Sequence, residues 1–165
     1  QNNGDKYYDF KDMMQDLYLD FVDEPKDSAR RKRAGIYESY ILGEEFKTKI
    51  ILLDVRYHRD SYKDPGAWDM LGKEQWEWFE NEIMTSEAPL NLIFSGKKAR
   101  FFLKNKCHIF SQDYLIFHTF ILKKGIPIMP DDRIIVETWF EGSRKKLYNI
   151  LKRAKKRGNF FMLYF

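Results

Sequence analysis

The sequence predicts a protein of the α/β class, and three observations point to it. Residues 49–55 contain the apolar run Ile50 to Leu53 and lead into charged residues, which is typical of a buried parallel strand that ends at a sheet edge. Residues 73–84 predict an amphipathic helix, because Trp76, Phe79 and Ile83 fall on one face. The order strand, helix, strand, helix, strand then continues along the chain.

Two elements are predicted before this central strand. Residues 9–20 have the spacing of a helix, and Pro25 marks its end because proline interrupts helical hydrogen bonding. One face of the helix is formed by Phe10, Met13, Met14, Leu17 and Phe21. Residues 35–42 alternate between apolar and polar side chains, which predicts a strand, and residues 43–46 form a turn.

Three elements are predicted after the helix over residues 73–84. Residues 91–94 form a short buried strand. Ser143 is a suitable N-cap for a further helix, and Gly158 is placed to close it. The apolar residues of this helix are Leu147, Ile150, Leu151 and Ala154. Residues 160–165 predict a final apolar strand.

Length and composition favour one folded domain. A chain of 165 residues is long enough to bury a core, and an aromatic content of 17% argues against disorder. The single cysteine excludes an internal disulfide framework. No apolar run approaches the roughly 20 residues that a membrane-spanning helix needs, so we expect no membrane segment in this chain.

The net charge of +4 is unevenly distributed. Residues 97–124 contain seven basic residues and one acidic residue, so the rest of the chain is slightly acidic. A nucleic-acid site needs a basic stripe across the folded domain. The basic run at residues 152–157 falls in the last turn of a predicted helix, where cations complement the helix dipole. We therefore expect no nucleic-acid partner.

Asp54 and Arg56 are the candidate site residues, because they lie at the end of the central strand. Ligands of α/β proteins tend to bind at the carboxyl ends of such strands. In one interpretation, the Asp54 carboxylate supports an active site and Arg56 faces a phosphate group. In the other, the two residues form a buried ion pair that holds the loop. The planar guanidinium of arginine suits both roles.

Several motifs occur in an order that resembles the PhoD-like metallophosphatases, also called the alkaline phosphatase D family. The motif Leu-Asp-x-Arg-Tyr at residues 53–57 is followed by Leu-Gly-x-x-Gln-Trp at residues 71–76. Further similar stretches are residues 2–5, 17–25, 30–43, 128–139 and 143–159. The ordered series is specific, and together it spans roughly residues 2–96 and 125–159.

The resemblance implies a fold and an activity. The family fold is a two-sheet β-sandwich flanked by helices, and its members use metal ions to hydrolyse phosphate esters. The metal ligands of the family lie in an early Tyr/Asp-rich block, an Asp-Asp-His block and a late Gly-Asp-Val-His block. This chain matches the region between the last two blocks, so the resemblance implies an incomplete, internal fragment of such a domain over residues 1–165.

Further expectations follow from this position in the family pattern. Metal ions belong to the intact parent, and we expect none for this chain alone, which would be inactive as it stands. Asn2 and Asn3 closely follow the family's Asp-Asp-His block, so either could lie beside a metal in the parent. An alternative function is a non-catalytic α/β binding domain or a degenerate paralogue.

Residues 97–124 interrupt the resemblance. The segment has Lys-Lys at both ends and glycine on both sides, which is compatible with translation through a retained intron. The alternative is a genuine surface insertion. The segment contains Cys107, His108 and His118, but their spacing fits no closed zinc site and a fourth ligand is missing.

Overall fold

A four-stranded mixed sheet organises the chain. A computed structural model describes residues 4–61, 68–96, 101–103, 106–108, 139–155 and 160–164. The strands of the main sheet are β1 (Glu38–Leu42), β2 (Thr48–Leu53), β3 (Leu90–Ser95) and β6 (Phe160–Tyr164), in the order β1-β2-β3-β6. β4 (Phe101–Leu103) and β5 (Lys106–His108) pair antiparallel as a separate two-stranded sheet. The α/β class is confirmed.

The central position of β2 is as predicted. β1 runs antiparallel to β2, while β3 runs parallel to β2 and β6 runs parallel to β3. The turn between β1 and β2 begins at Gly43, whose φ of +85° favours glycine; a Cβ there would lie 2.5 Å from the Phe46 carbonyl oxygen. β2 is an interior strand, because it pairs with β1 on one side and with β3 on the other. Its carboxyl end lies beside that of β3 at one sheet edge.

In the described part of the chain, three α-helices accompany the sheet, and two of them build the core. The helices are α1 (Lys11–Phe21), α2 (Gly72–Met84) and α3 (Glu141–Lys155), and a short 3-10 helix spans Ala29–Lys32. The largest cluster of buried apolar side chains in the described residues joins one face of the sheet to α2 and α3. Its members include Ile51, Leu53, Ile93, Trp76, Phe79, Ile83, Leu147, Ile150 and Ala154. The predicted apolar stripes of α2 and α3 thus face the sheet.

The other face of the sheet is apolar but only half-buried. Side chains of β2 and β3 alternate between buried and half-buried positions, as the period of a strand requires. The half-buried positions include Ile50, Leu52, Leu92 and Phe94. Parallel strands with two apolar faces are normally covered on both sides.

The predicted first helix is present, but its apolar face is exposed, because only Leu19 of α1 is buried. One local prediction is corrected by the structure. Ser143 is not an N-cap: α3 begins at Glu141, and the buried Ser143 hydroxyl instead accepts a 3.0 Å hydrogen bond from the Met70 amide. Tertiary contacts outweigh the local preference of serine for helix starts. The predicted closing residue Gly158 lies outside the described residues.

None of the helices in the described part of the chain has the length and hydrophobicity of a membrane-crossing helix. The interrupting segment, residues 97–124, is described only at β4 and β5.

Candidate functional site

The candidate site is the sheet edge where parallel strands end. β2 ends at Leu53 and β3 at Ser95, and these two residues are paired in register. Asp54 therefore continues directly from one strand while Gly96 continues from its neighbour. This is the edge at which ligands of open α/β sheets tend to bind.

The Asp54 carboxylate organises the loop after β2 through backbone amides. Asp54 is buried, with 7% of its surface exposed. Its Oδ1 accepts hydrogen bonds from the amides of Arg56 and Tyr57 at 2.8 and 3.0 Å, and its Oδ2 accepts one from Ile36 at 3.0 Å. The carboxylate thus joins the start of the loop to the chain that enters β1. The Arg56 side chain is exposed at the same edge.

Gln75 of α2 holds the backbone of Asp54 from the other side. Its Oε1 accepts a 2.8 Å hydrogen bond from the Asp54 amide, and its Nε2 donates one of 2.8 Å to the Asp54 carbonyl. Gln75 is fully buried. Sequence reasoning did not single out Gln75. The sequence did contain a signal for its role. Gln75 stands beside Trp76 on the buried side of a helix, and a buried side-chain amide needs hydrogen-bond partners.

The next turn of the loop is held by a second acidic residue. Asp60 is buried, and its Oδ1 lies 2.6 Å from the Lys6 ammonium, while its Oδ2 accepts a 2.6 Å hydrogen bond from the Asp69 amide. The hydrogen bond to Asp60 raises the pKa of Lys6 above its ordinary value, against the opposing effect of desolvation. Arg59 is buried and donates a 2.8 Å hydrogen bond to the Gly4 carbonyl.

Tyr57 connects the same loop to α1. Its hydroxyl donates a hydrogen bond to Oδ1 of Asp12, and the Lys11 ammonium lies 4.6 Å from the centre of its ring. Burial, and secondarily the hydrogen bond to Asp12, raise the pKa of Tyr57 to about 12. The raised pKa means that the phenol keeps its proton, and so remains a hydrogen-bond donor, well above pH 10.

A cleft of about 450 Å³ opens beside the ends of β2 and β3. It is lined by Tyr18, Arg30, Ile36, Leu52, Leu53, Phe94, Ser95 and Gly96. Arg30 is buried, pairs with Glu24 at 2.8 Å and donates to the Ile36 carbonyl at 2.9 Å. Among the described residues, its Nε has no hydrogen-bond acceptor.

The described residues do not form a metal site. They include no group of three or more histidine, cysteine, aspartate or glutamate side chains that could hold a metal ion. His58 contacts the Ala34 carbonyl at 3.0 Å through Nε2. Asn2 and Asn3, the candidates for a position beside a metal, lie outside the described residues, as does His118.

The fold is similar to part of the solved structure of PhoD. No protein-family profile matches the chain, and no curated protein matches it. A structure described as "Structure of PhoD" aligns with 99% of this chain at a TM-score of 0.56 and 14% sequence identity. The chain spans about a third, 32%, of the length of that PhoD chain.

The structural match confirms the resemblance to PhoD that the motifs predict. At 14% identity the similarity concerns the fold. Nearly the whole chain follows one part of the PhoD structure, as expected for a PhoD-like fragment.

Proposed function

We propose that this chain is the middle part of a metal-dependent phosphatase or phosphodiesterase domain that hydrolyses phosphate esters. The observation that carries the proposal is the alignment of 99% of the chain with part of PhoD. The position of Asp54 and Arg56 at the ends of parallel strands supports it, because that edge is where such sheets bind ligands.

The metal ions of the proposed parent would be bound outside this chain. The described residues do not fit a metal centre, and the resemblance assigns the ligands to blocks that precede and follow residues 1–165. Such ions neutralise charge on the phosphoryl group and activate water in phosphatases of this type. Without them, the 165-residue chain is inactive as it stands.

The contribution of this chain is structural support and one phosphate contact. Asp54 fixes the path of the loop through three backbone amides, so the loop presents Arg56 in a defined place. The exposed Arg56 guanidinium would bind a phosphate oxygen in the parent, since its planar fork matches that geometry.

The half-buried face of the sheet supports the sandwich architecture. Leu52 and Phe94 belong to a row of apolar side chains that the described helices of the core leave half-exposed. We propose that a second sheet of the parent covers this row. The chain aligns with only 32% of the PhoD chain, so in a parent of that length the remaining residues would supply this second sheet.

The domain proposal also includes the interrupting segment. We propose that residues 97–124 are translated from a retained intron, and sequencing of cDNA across the codons for Ser95 and Ile126 tests this. A product that joins Gly96 directly to the region of Ile126 is expected. Uniform retention of the segment in mature transcripts would show a genuine insertion instead.

The proposed activity is tested with two lengths of chain. The 165-residue chain should not hydrolyse p-nitrophenyl phosphate or its diester with any added divalent or ferric ion. An extended chain that includes the flanking Asp-Asp-His and Gly-Asp-Val-His blocks should hydrolyse them and lose activity with a chelator. Flanking sequence without both blocks would favour the non-catalytic alternative. Metal-dependent hydrolysis by the short chain, abolished by a substitution within it, would overturn the assignment.

A further inference from the structure

The α1 helix presents its apolar side to solvent. We call Phe10, Met13, Met14, Leu17 and Phe21 the α1 face. The exposed fraction is 56% for Phe10, 55% for Leu17 and 85% for Phe21. The spacing of these residues makes one continuous stripe along the helix. An apolar stripe of this kind is normally buried, so its exposure marks an interaction surface.

The orientation of α1 is fixed from its opposite side. Leu19 is fully buried there. The Gln15 side chain donates a 2.8 Å hydrogen bond to the Arg33 carbonyl and accepts one of 2.8 Å from the Gly35 amide. Rotation of the α1 face inward would break these contacts and expose Leu19. The outward direction of the stripe is therefore built into the fold.

Acidic residues border the α1 face. Residues 9–24 contain six acidic residues and one lysine. Helical geometry places Asp16 and Asp20 along one side of the stripe, and Asp9 lies in the turn just before α1. Asp20 already pairs with Lys26 at 2.6 Å and with Arg31 at 2.8 Å, so the charge beside the face comes mainly from the exposed Asp9 and Asp16. This charge repels anionic lipid surfaces and a second copy of the same face, and it attracts a cationic partner.

We propose that the α1 face is a docking surface for an amphipathic helix of another protein that carries lysine or arginine beside its apolar stripe. Apolar contact with Leu17 and Phe21 would supply most of the affinity. Met13 and Met14 can adapt their shape to the facing side chains. The aspartates select and orient the partner by charge complementarity. The proposal uses none of the residues of the candidate site at the ends of β2 and β3.

Binding of designed peptides to the full 165-residue chain tests this proposal. A leucine–lysine amphipathic helix peptide is compared with a leucine–glutamate peptide that has the same leucine positions, by fluorescence anisotropy. The lysine peptide should bind at least about tenfold more tightly, a difference of about 1.4 kcal/mol. Leu17→Glu or Phe21→Glu should weaken its binding by a similar factor. Ile41→Glu is the matched control, because Ile41 is equally apolar and 62% exposed on β1.

A charge variant keeps the test decisive if an apolar variant folds poorly. Asp16→Lys should weaken binding of the lysine peptide and strengthen binding of the glutamate peptide. Failure of the lysine peptide to bind, or equal affinity for both peptides, would overturn the proposal. So would binding to phosphatidylserine vesicles, or self-association that Leu17→Glu abolishes.

Discussion

Gln75 and Asp54 are joined by reciprocal hydrogen bonds between a side-chain amide and a backbone. The Asp54 amide donates to Gln75 Oε1, and Gln75 Nε2 donates to the Asp54 carbonyl, both at 2.8 Å. The pair ties the first turn of α2 to the first residue after β2. The edge that carries the candidate site is therefore positioned by a buried polar contact as well as by apolar packing.

Gln75→Leu should lower the free energy of unfolding by about 2–4 kcal/mol, because it leaves a buried amide and a buried carbonyl without partners. Chemical denaturation followed by circular dichroism measures this change. Glu74→Ala is the matched control, since Glu74 is its exposed neighbour on the same helix and should change stability by less than about 0.5 kcal/mol. Equal effects of the two substitutions would contradict the role given to Gln75.

Substitution of Asp54 should mainly lower stability, whereas substitution of Arg56 should mainly lower turnover in the parent enzyme. Asp54→Ala removes the acceptor of three backbone amides and should cost about 3 kcal/mol or more of stability. Arg56→Ala should cost at most about 1 kcal/mol, because contacts made by an exposed side chain contribute little to stability. In the intact parent enzyme, Arg56→Ala should lower turnover by more than about tenfold, equivalent to about 1.4 kcal/mol.

Thermal melts and steady-state kinetics separate these outcomes. A large loss of stability in Arg56→Ala, without a change in turnover, would show that Arg56 supports the loop rather than a phosphate group.

Gly72→Ala should destabilise the fold by at least about 2 kcal/mol. The φ of Gly72 is +73°, which costs a residue with a Cβ about 1–2 kcal/mol, and the new Cβ would lie 2.8 Å from His58 Cβ. Gly142→Ala in α3 is the control, because nothing lies within 4 Å of an added Cβ there. It should be neutral or stabilise the fold by at most about 1 kcal/mol. Similar melting temperatures for both variants would refute the strain argument.

The stability of the fold should fall between pH 10 and pH 12, in part through Tyr57. The folded state holds the Tyr57 proton more tightly, because its pKa is raised from 10.0 to about 12. This contribution is complete below pH 10 and is lost as the pH rises toward 12. Tyr57→Phe should flatten that decline in a series of urea denaturations, whereas Tyr40→Phe, at an exposed tyrosine of β1, should leave it unchanged. An unaltered slope in Tyr57→Phe would count against the assignment.

Local sequence patterns predicted most elements of the fold to within a few residues. The apolar run before Asp54 indicated an interior strand, and β2 lies between β1 and β3. The stripe through Trp76 and Phe79 indicated a helix that packs on the sheet, and both side chains are buried. These predictions succeeded because the period of an apolar pattern directly reflects a repeating contact with the core.

The sequence by itself determined where helices and strands form, since periodicity and turn residues act over a few positions. Only the tertiary structure decided which surfaces meet. The spacing of Leu17 and Phe21 specifies a helix face but not its direction, and the contacts of Gln15 with distant backbone turn that face outward. The partners of Asp54 and Ser143 were equally hidden, because a buried polar group is satisfied by whichever residues the fold brings within about 3 Å.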